Sequence, residues 1–562
     1  MPGITGVAWS SGAPAPVSLE ALAGALFPSP MQSRHRLEAA GLACLVSSAS
    51  PASGTLVRDG VRLAFEGFLF DEALQGRALL DKLVDRFLER GEGFAAGMNG
   101  MFQMAVQAVG KTYLYVDHVA ARRLFYRRGP DWFAFSPEVA PLAGLAPARL
   151  DGANLVNFLA NGRFFAGHTL LEPVRQLLPG EYLVWDGHEL VHRRWYRGGL
   201  TPTEPFDAPE AMARLQEALR TAIHRYWARA NQPGFQLTGG YDSRYIFLTV
   251  AELVEDTTRL LTVTWGEQPG LAGSDIQIAE VIARRFGTRH LVFERRAERV
   301  RTHFDEMFEA LSGMTEQAFL HTEELVFCRH LAEEHGLRSL FRGDECFGLS
   351  GAGAATAEEA LVQLALKRAG EIAGAERWVE GGGAPWLEAQ ADHLSELVAR
   401  GPPAPMDLRD TLYAGERLVS GLHHLNYFKS HYVDLFNPLL EPEVLRIAAT
   451  FPAQWRLDKT LFKACYHQRF DATVDIPFAD KVNAVDWAAA VRRSPEVAEL
   501  LRTGLERLPA PLDRAFFLEK LAEARGPAVA APGPRHRHLP PEQLAIRAFV
   551  LGRWLERWPP VA

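Results

Sequence analysis

Phe235-Gln236-Leu237-Thr238-Gly239-Gly240-Tyr241-Asp242-Ser243-Arg244 is the stretch on which the reading of this chain turns. A short strand-type run ends in two glycines, followed by Asp-Ser and an apolar helical segment over 245–254. Glycines let a backbone approach a ligand closely and turn its N–H groups outward, and a following helix adds its N-terminal dipole, so the pattern suits an oxyanion. Thr238 and Ser243 bring hydroxyl donors to the same place. Asp242 is a candidate Mg2+ ligand, because Mg2+ takes one or two carboxylates together with phosphate oxygens. The plain alternative is a tight strand–helix turn with an aspartate cap.

Strand and helix signals alternate around this stretch. Pro202, Pro205 and Pro209 mark a linker over 201–209, and Met212, Leu215, Leu219, Ile223 and Tyr226 then fall at helical spacing. A strand is expected over 260–265. A helix over 274–286 follows, with a capping box at Ser274 and Gln277 and a stop at Gly287. Further strands are expected at 290–293 and 338–341. Such alternation implies an α/β unit with a parallel sheet covered on both faces. Beyond Gly351 the pattern is mostly helical, with a Pro-rich loop over 526–541 before a terminal helix. The first 200 residues differ: short aromatic or β-branched runs at 61–70, 101–109, 112–116, 124–127, 132–135 and 182–185 imply stacked antiparallel sheets.

About a hundred residues after the first motif comes Leu340-Phe341-Arg342-Gly343-Asp344-Glu345-Cys346-Phe347-Gly348. Asp344 is placed at the carboxyl end of its strand, where ligands bind in open α/β sheets, and a second carboxylate there could complete a metal site. Alone, Gly-Asp-Glu reads more readily as a solvated loop, and it gains weight only beside the first loop in an α/β frame. Composition narrows the partners. With 60 Lys+Arg against 68 Asp+Glu in 562 residues the formal charge is −8, and 48% of residues are hydrophobic. Neither nucleic acid nor an anionic membrane surface is an expected partner. The four scattered cysteines, the absence of a secretory pattern after Met1-Pro2-Gly3 and the lack of a long apolar run point to a soluble cytoplasmic protein.

On these motifs the chain resembles the class B asparagine synthetase superfamily. Thr238–Ser243 is similar to that family's pyrophosphatase loop, with Thr for the first Ser, and the 343–348 segment is similar to its Ser-Asp-Glu-x-Phe-Gly segment. Thr262-Val263-Thr264-Trp265-Gly266 and Ser274-Asp275 resemble the strand and helix on the adenine side. Asp458-Lys459-Thr460-Leu461-Phe462-Lys463 and Asp480-Lys481 resemble its two lysine segments. The resemblance implies ATP and Mg2+ as cofactors, with Leu237, Thr238, Gly239, Gly240, Asp242, Ser243, Thr264 and Gly343 at the nucleotide and Asp242 and Asp344 on the metal. It implies catalytic roles for Lys481, which would steady the acyl-adenylate reaction, and for Asp344, with Glu345 a candidate base. Upstream, Gly97–Phe102, Asp117, Leu124-Phe125-Tyr126, Phe135-Ser136-Pro137-Glu138 and Leu177-Leu178-Pro179-Gly180 resemble the glutaminase domain. Two domains follow: an inactive N-terminal-nucleophile-hydrolase-like unit over 1–203, and an adenine-nucleotide α-hydrolase-like synthetase unit with a helical extension over 206–562.

The departures shape the functional expectation. Glutaminases of this type use a cysteine after the initiator Met, where this chain has Pro2, and their oxyanion Asn-Gly is represented by Glu66-Gly67. The position three before Asp344, Glu in asparagine synthetases and Tyr in β-lactam synthetases, is Phe341, which does no acid–base chemistry. A base is then sought in Glu345 or in a carboxylate of the 356–380 region. The expected activity is an AMP-forming, ATP-dependent carbon–nitrogen ligase that activates a carboxylate and uses an amine not drawn from glutamine. Cyclisation of a peptide or amino-acid derivative in natural-product biosynthesis, as a lasso-peptide macrolactam or a β-lactam, is the first expectation, with partner biosynthetic proteins. Ammonia-dependent asparagine synthetase-like amidation and a non-catalytic scaffold are the alternatives.

Overall fold

Short β-branched and aromatic runs cut by Asp, Gly and Pro become antiparallel strands in the first 200 residues. The structure is a computed structural model describing residues 2–10, 12–29, 33–349, 353–471, 475–481, 483–527 and 537–560. Its first half contains β1 (Gly3–Trp9), β2 (Ser33–Ala39), β3 (Leu42–Ser48), β4 (Gly54–Arg58), β5 (Val61–Leu69) and β6 (Gly100–Ala108). These are followed by β7 (Lys111–Val116), β8 (Phe125–Arg128), β9 (Trp132–Ser136), β10 (Val174–Gln176), β11 (Glu181–Trp185) and β12 (Leu190–Arg194). Among the described residues they form two six-stranded sheets, ordered β10-β8-β9-β1-β3-β2 and β12-β11-β7-β6-β5-β4. Ile4, Cys44 and Val46 of one sheet meet Ala64, Ala105, Leu114 and Trp185 of the other in a common core. The helix Gly76–Arg90 covers the outer face of the second sheet with Leu80, Leu83 and Phe87.

The second half is built on β13 (Pro233–Gln236), β14 (Leu261–Gly266), β15 (Arg289–Glu294), β16 (Ser339–Phe341) and β17 (Asp434–Phe436). All neighbouring pairs are parallel, in the order β15-β14-β13-β16-β17. The central place of β13 beside β16 brings the chain segments that leave their carboxyl ends side by side. Helix Ala208–Arg229 starts at the Asp207 cap with Pro209 in its first turn. Helix Asp275–Phe286 is capped by Ser274, whose Oγ accepts the Gln277 N–H at 3.3 Å, and ends on Gly287 at φ +64°. The reciprocal bond expected of a capping box is displaced by one residue: Gln277 Oε1 accepts the Gly273 N–H at 2.7 Å. Strand β17 had no expectation from sequence. Most of the Pro-rich loop expected over 526–541 lies outside the described residues.

Phe341 is the last residue of β16, 1% exposed, with its ring stacked on Phe235 at 5.1 Å and edge-on to Phe436 at 5.6 Å. The ring packs in the core of the parallel-sheet half, in keeping with a residue that does no acid–base chemistry.

The two halves share apolar cores. Phe68, Phe70 and Met101 join Tyr226, Phe235, Phe341 and Phe436 in one cluster, with Phe70 stacked on Tyr226 at 3.6 Å. The Pro-rich connection is held as well, since Thr201 and Thr203 donate backbone N–H groups to Ala449 and Thr450 carbonyls at 2.8 and 3.1 Å. Among the described residues no helix is long and apolar enough to cross a membrane, and the cysteines are free.

Two buried carboxyls make a testable contribution. Glu138 accepts the Phe27 N–H at 2.9 Å and Glu416 accepts the Ala166 N–H at 2.7 Å, yet burial outweighs these bonds and pushes each group up to about 7. A carboxyl raised above its unfolded value of 4.5 favours folding while protonated. Its contribution is complete below that value and is lost as pH rises through about 7. Denaturant melts should therefore show stability falling between about pH 5 and 8, by up to ~3 kcal/mol per group. Glu138→Gln should flatten that slope; an unchanged slope overturns the assignment.

Candidate active site

Leu237 leaves β13 buried, donating its N–H to Val263 O at 2.9 Å, and the chain then turns through Thr238-Gly239-Gly240 into helix Tyr241–Ala251. The turn is braced internally. Ser243 Oγ accepts the Thr238 N–H at 3.1 Å and lies 2.9 Å from Thr238 Oγ1, which accepts the Gly240 N–H at 3.3 Å. The Gly239 N–H is already engaged by a carboxylate, Asp275 Oδ1 at 2.9 Å. The loop thus binds oxygen acceptors through its backbone, as its glycines imply, with protein side chains in that role here. A Cβ on Gly239 would meet Ala479 Cβ at 2.4 Å, which is why this residue is glycine.

The second motif closes directly on the first. A Cβ on Gly343 would lie 2.7 Å from Asp242 Cβ and 2.8 Å from the Ser243 nitrogen, so only glycine lets the segment leaving β16 touch the helix N-terminus. Asp242, Asp344 and Glu345 gather there, Asp344 and Glu345 buried and Asp242 part-buried. Between Asp242 and Glu345 stands Lys459, with Nζ 2.8 Å from Asp242 Oδ2 and 2.8 Å from Glu345 Oε1. Lys459 follows Asp458, and both take left-handed backbone at φ 56° and 53°, a costly conformation for residues other than glycine. Asp242 Oδ1 is buried with no hydrogen-bond partner.

The charges at the site are held unequally. Burial alone would raise Asp344, but the Arg342 guanidinium, 3.1 Å from Oδ1, keeps its carboxyl below the usual range. Burial raises Asp242 despite Lys459. Glu345 is driven up to about 7 by burial against the opposing pull of Lys459, and its Oε2 accepts the Phe347 N–H. Burial would lower Lys459, but the two carboxylates raise it above its ordinary value, so it stays an ammonium.

Mg2+ fits this donor set. Asp242 has a buried oxygen without a partner, Asp344 stays ionised, and an ammonium already occupies the position between Asp242 and Glu345 where a cation is favoured. Among the described residues no group of three His, Cys, Asp or Glu side chains could hold a metal alone. A cation here would therefore need phosphate oxygens to complete its shell, which is the habit of Mg2+.

Of the residues expected from sequence, Thr238, Gly239, Gly240, Asp242, Ser243, Gly343, Asp344 and Glu345 come together, while Leu237 supports the loop from beneath. Thr264 lies within β14, opposite Val292 of β15. Lys481 forms no ion pair with the carboxylates among the described residues: it is exposed, its Nζ donates to Ala272 O at 3.0 Å, and its backbone bridges Ser274. The ammonium seated among the carboxylates is Lys459, for which the sequence offered only a family segment. The 356–380 region sends no carboxylate to the cluster among its described contacts; Glu358 pairs with Arg368 and Glu359 accepts the Ala355 N–H of its own turn.

The architecture is that of an N-terminal-nucleophile-hydrolase-like amidotransferase unit joined to a parallel-sheet unit whose carboxylates converge at the strand ends. Residues 72–196 match the glutamine amidotransferase domain family and residues 214–413 match the asparagine synthase family. The chain belongs to the class B asparagine synthetase superfamily.

Among solved structures, the chain is similar to a glutamine phosphoribosylpyrophosphate amidotransferase from B. subtilis complexed with ADP and GMP. That likeness has 10% identity over 51% of this chain and 65% of that one, with a TM-score of 0.25, so the chain spans under two thirds of that protein's length. It is also similar to an allosteric regulatory enzyme of purine biosynthesis, with 10% identity over 51% of this chain and 80% of that one and a TM-score of 0.26. No curated protein matches the chain at a significant level.

Proposed function

We propose that this protein is an ATP-dependent, AMP-forming ligase that joins a carboxylate to an amine not released from glutamine. A substrate carboxylate oxygen attacks the α-phosphorus of ATP and pyrophosphate leaves; the amine nitrogen then attacks the acyl carbon, AMP leaves and the nitrogen loses a proton. The observation that carries this reading is the contact of the two loops at Gly343, which brings Asp242 and Glu345 around one ammonium, Lys459, while Asp344 leaves the same segment paired with Arg342.

Bound Mg2+ would be held by Asp242 and Asp344 and would neutralise phosphate charge. The chain's own residues do the rest by position. Lys459 supplies a permanent positive charge, and the helix N-terminus after Gly240, which has no side-chain cap, favours an anion. Glu345, with its raised carboxyl, is the group at the cluster suited to take a proton near neutral pH.

The exclusion of glutamine is supported by what surrounds β1 and β5. Glu66 is fully buried, with Oε1 bonded to Ser48 at 2.9 Å and Oε2 3.7 Å from Arg122, so a carboxylate and a guanidinium fill the place that the resemblance gives to the oxyanion pair. The Pro2 carbonyl is covered by the Tyr427 hydroxyl at 3.3 Å. Ring closure of a peptide or amino-acid derivative is the use we propose for the activated carboxylate.

The test is ATP–pyrophosphate exchange with pools of carboxylic acids, together with product analysis. Acid-dependent exchange, AMP as the nucleotide product and no glutamate from glutamine are expected. Exchange with no acid pool would favour a scaffold, and glutamate formed from glutamine alone would overturn the account of the first half.

A further inference from the structure

Asp344 is fixed by a closed ring of side chains drawn from three distant segments. Its Oδ1 accepts from Arg342 at 3.1 Å. Arg342 also donates to Gln236 Oε1 at 2.6 Å, and Gln236 is the last residue of β13. The same Gln236 oxygen lies 3.5 Å from Lys429 Nζ. Lys429 Nζ donates to Asn426 Oδ1 at 2.9 Å, and Asn426 Nδ2 returns to Asp344 Oδ2 at 3.5 Å. The ring runs Asp344, Arg342, Gln236, Lys429, Asn426 and back, and ties the segments leaving β13 and β16 to the residues just before β17.

Lys429 is the unusual member. It is 1% exposed, and burial draws it down to about 8 despite Glu324 Oε2 at 3.5 Å and the Trp265 ring at 5.0 Å. A buried lysine costs stability unless its partners are well placed, and three of its contacts belong to the carboxyl-end rim of the sheet: Gln236, Trp265 and, through Asn426, Asp344. Glu324, paired with His321 at 2.5 Å, holds it from the far side.

We propose that Lys429 is a positioning residue for Asp344: through Asn426 and Gln236 it sets the orientation of this carboxylate toward the cation that accompanies the nucleotide. The inference rests on the proposed ligase reading, in which Asp344 is a metal ligand. Groups that orient a ligating carboxylate typically change metal affinity by about 10–100-fold when removed. Arg342 holds one oxygen directly; Lys429 acts on the other through an amide that could otherwise rotate.

The test is Mn2+ binding, followed by electron paramagnetic resonance, with a non-hydrolysable ATP analogue present, on wild type, Lys429→Met, Lys429→Arg, Asn426→Ala and Asp344→Asn. Lys429→Met should weaken Mn2+ by about 10-fold or more, with analogue affinity at saturating Mn2+ within about 3-fold of wild type. Lys429→Arg should recover most of the loss, and Asn426→Ala should weaken Mn2+ in the same direction while leaving the lysine in place. A purely structural role would lower the melting temperature without this split between metal and nucleotide. If Asp344→Asn loses Mn2+ while Lys429→Met and Asn426→Ala both bind it like wild type, the positioning role is overturned and the ligase reading stands. If wild type itself binds no Mn2+ with the analogue, both fall.

Discussion

Asp242→Asn protein is expected to fold normally and to lose ATP–pyrophosphate exchange by about 10²–10³-fold, the usual cost of removing one preorganised electrostatic contact. Asp242 lies in the first turn of the helix after the glycine pair, touches Gly343 of the second motif and pairs with Lys459. It is the one carboxylate of the cluster with a buried oxygen lacking any partner, so its charge is maintained at a cost that the nucleotide-free protein does not recover. Burial raises its carboxyl above the ordinary value, and so the neutral amide should leave stability unchanged or slightly higher. Loss of exchange without loss of stability separates a site that binds the nucleotide's cation from one that only holds the loops together. An Asp242→Asn protein with wild-type exchange would remove the metal from this position. A protein that unfolds would make Asp242 a structural group.

Arg122→Ala is expected to have the largest effect on stability. Arg122 is 3% exposed in the loop between β7 and β8; it lies 3.7 Å from Glu66 of β5 and 2.8 Å from Asp434 of β17, so it joins the antiparallel half to the parallel sheet. Removing it leaves two buried carboxylates unpaired, a loss of about 3–5 kcal/mol. The pH dependence gives the sign. Burial already raises both carboxyls, with Arg122 opposing it, and without the guanidinium they rise further. Raised carboxyls favour folding while protonated and lose that contribution as pH rises, so the deficit of Arg122→Ala against wild type should be small near pH 5 and large near pH 8. Urea titrations at both values measure it. A deficit under about 1 kcal/mol at pH 8, or one equal at both pH values, would show that the interface does not depend on this charge.

The local patterns were legible because each has a local cause. Two glycines before a helix, Gly343 before Asp344-Glu345, and the runs that became Val61–Leu69, Leu261–Gly266 and Asp275–Phe286 announce themselves within a dozen residues. Strand β17 escaped because three residues, Asp434–Phe436, pair across nearly a hundred positions of mostly helical chain and carry no alternation to detect. That Phe341 does no acid–base chemistry followed from its side chain alone, whereas its stacking on Phe235 follows from the pairing of β13 with β16. Lys481 and Lys459 both sat in recognisable segments; only folding could tell which ammonium would stand between Asp242 and Glu345.

The amino-acid order by itself determined the two kinds of sheet, the glycine turn that leads into a helix N-terminus, and the carboxylates that accompany it, since all of these follow from near-neighbour geometry and periodicity. The tertiary structure decided which charges meet: Lys459 with Asp242 and Glu345, Arg122 with Asp434, and Lys429 in the ring around Asp344. Those partners are tens to hundreds of residues apart. Their pairing depends on the order β15-β14-β13-β16-β17 and on the packing of the two halves, which bring distant side chains into a space too dry to leave any charge alone.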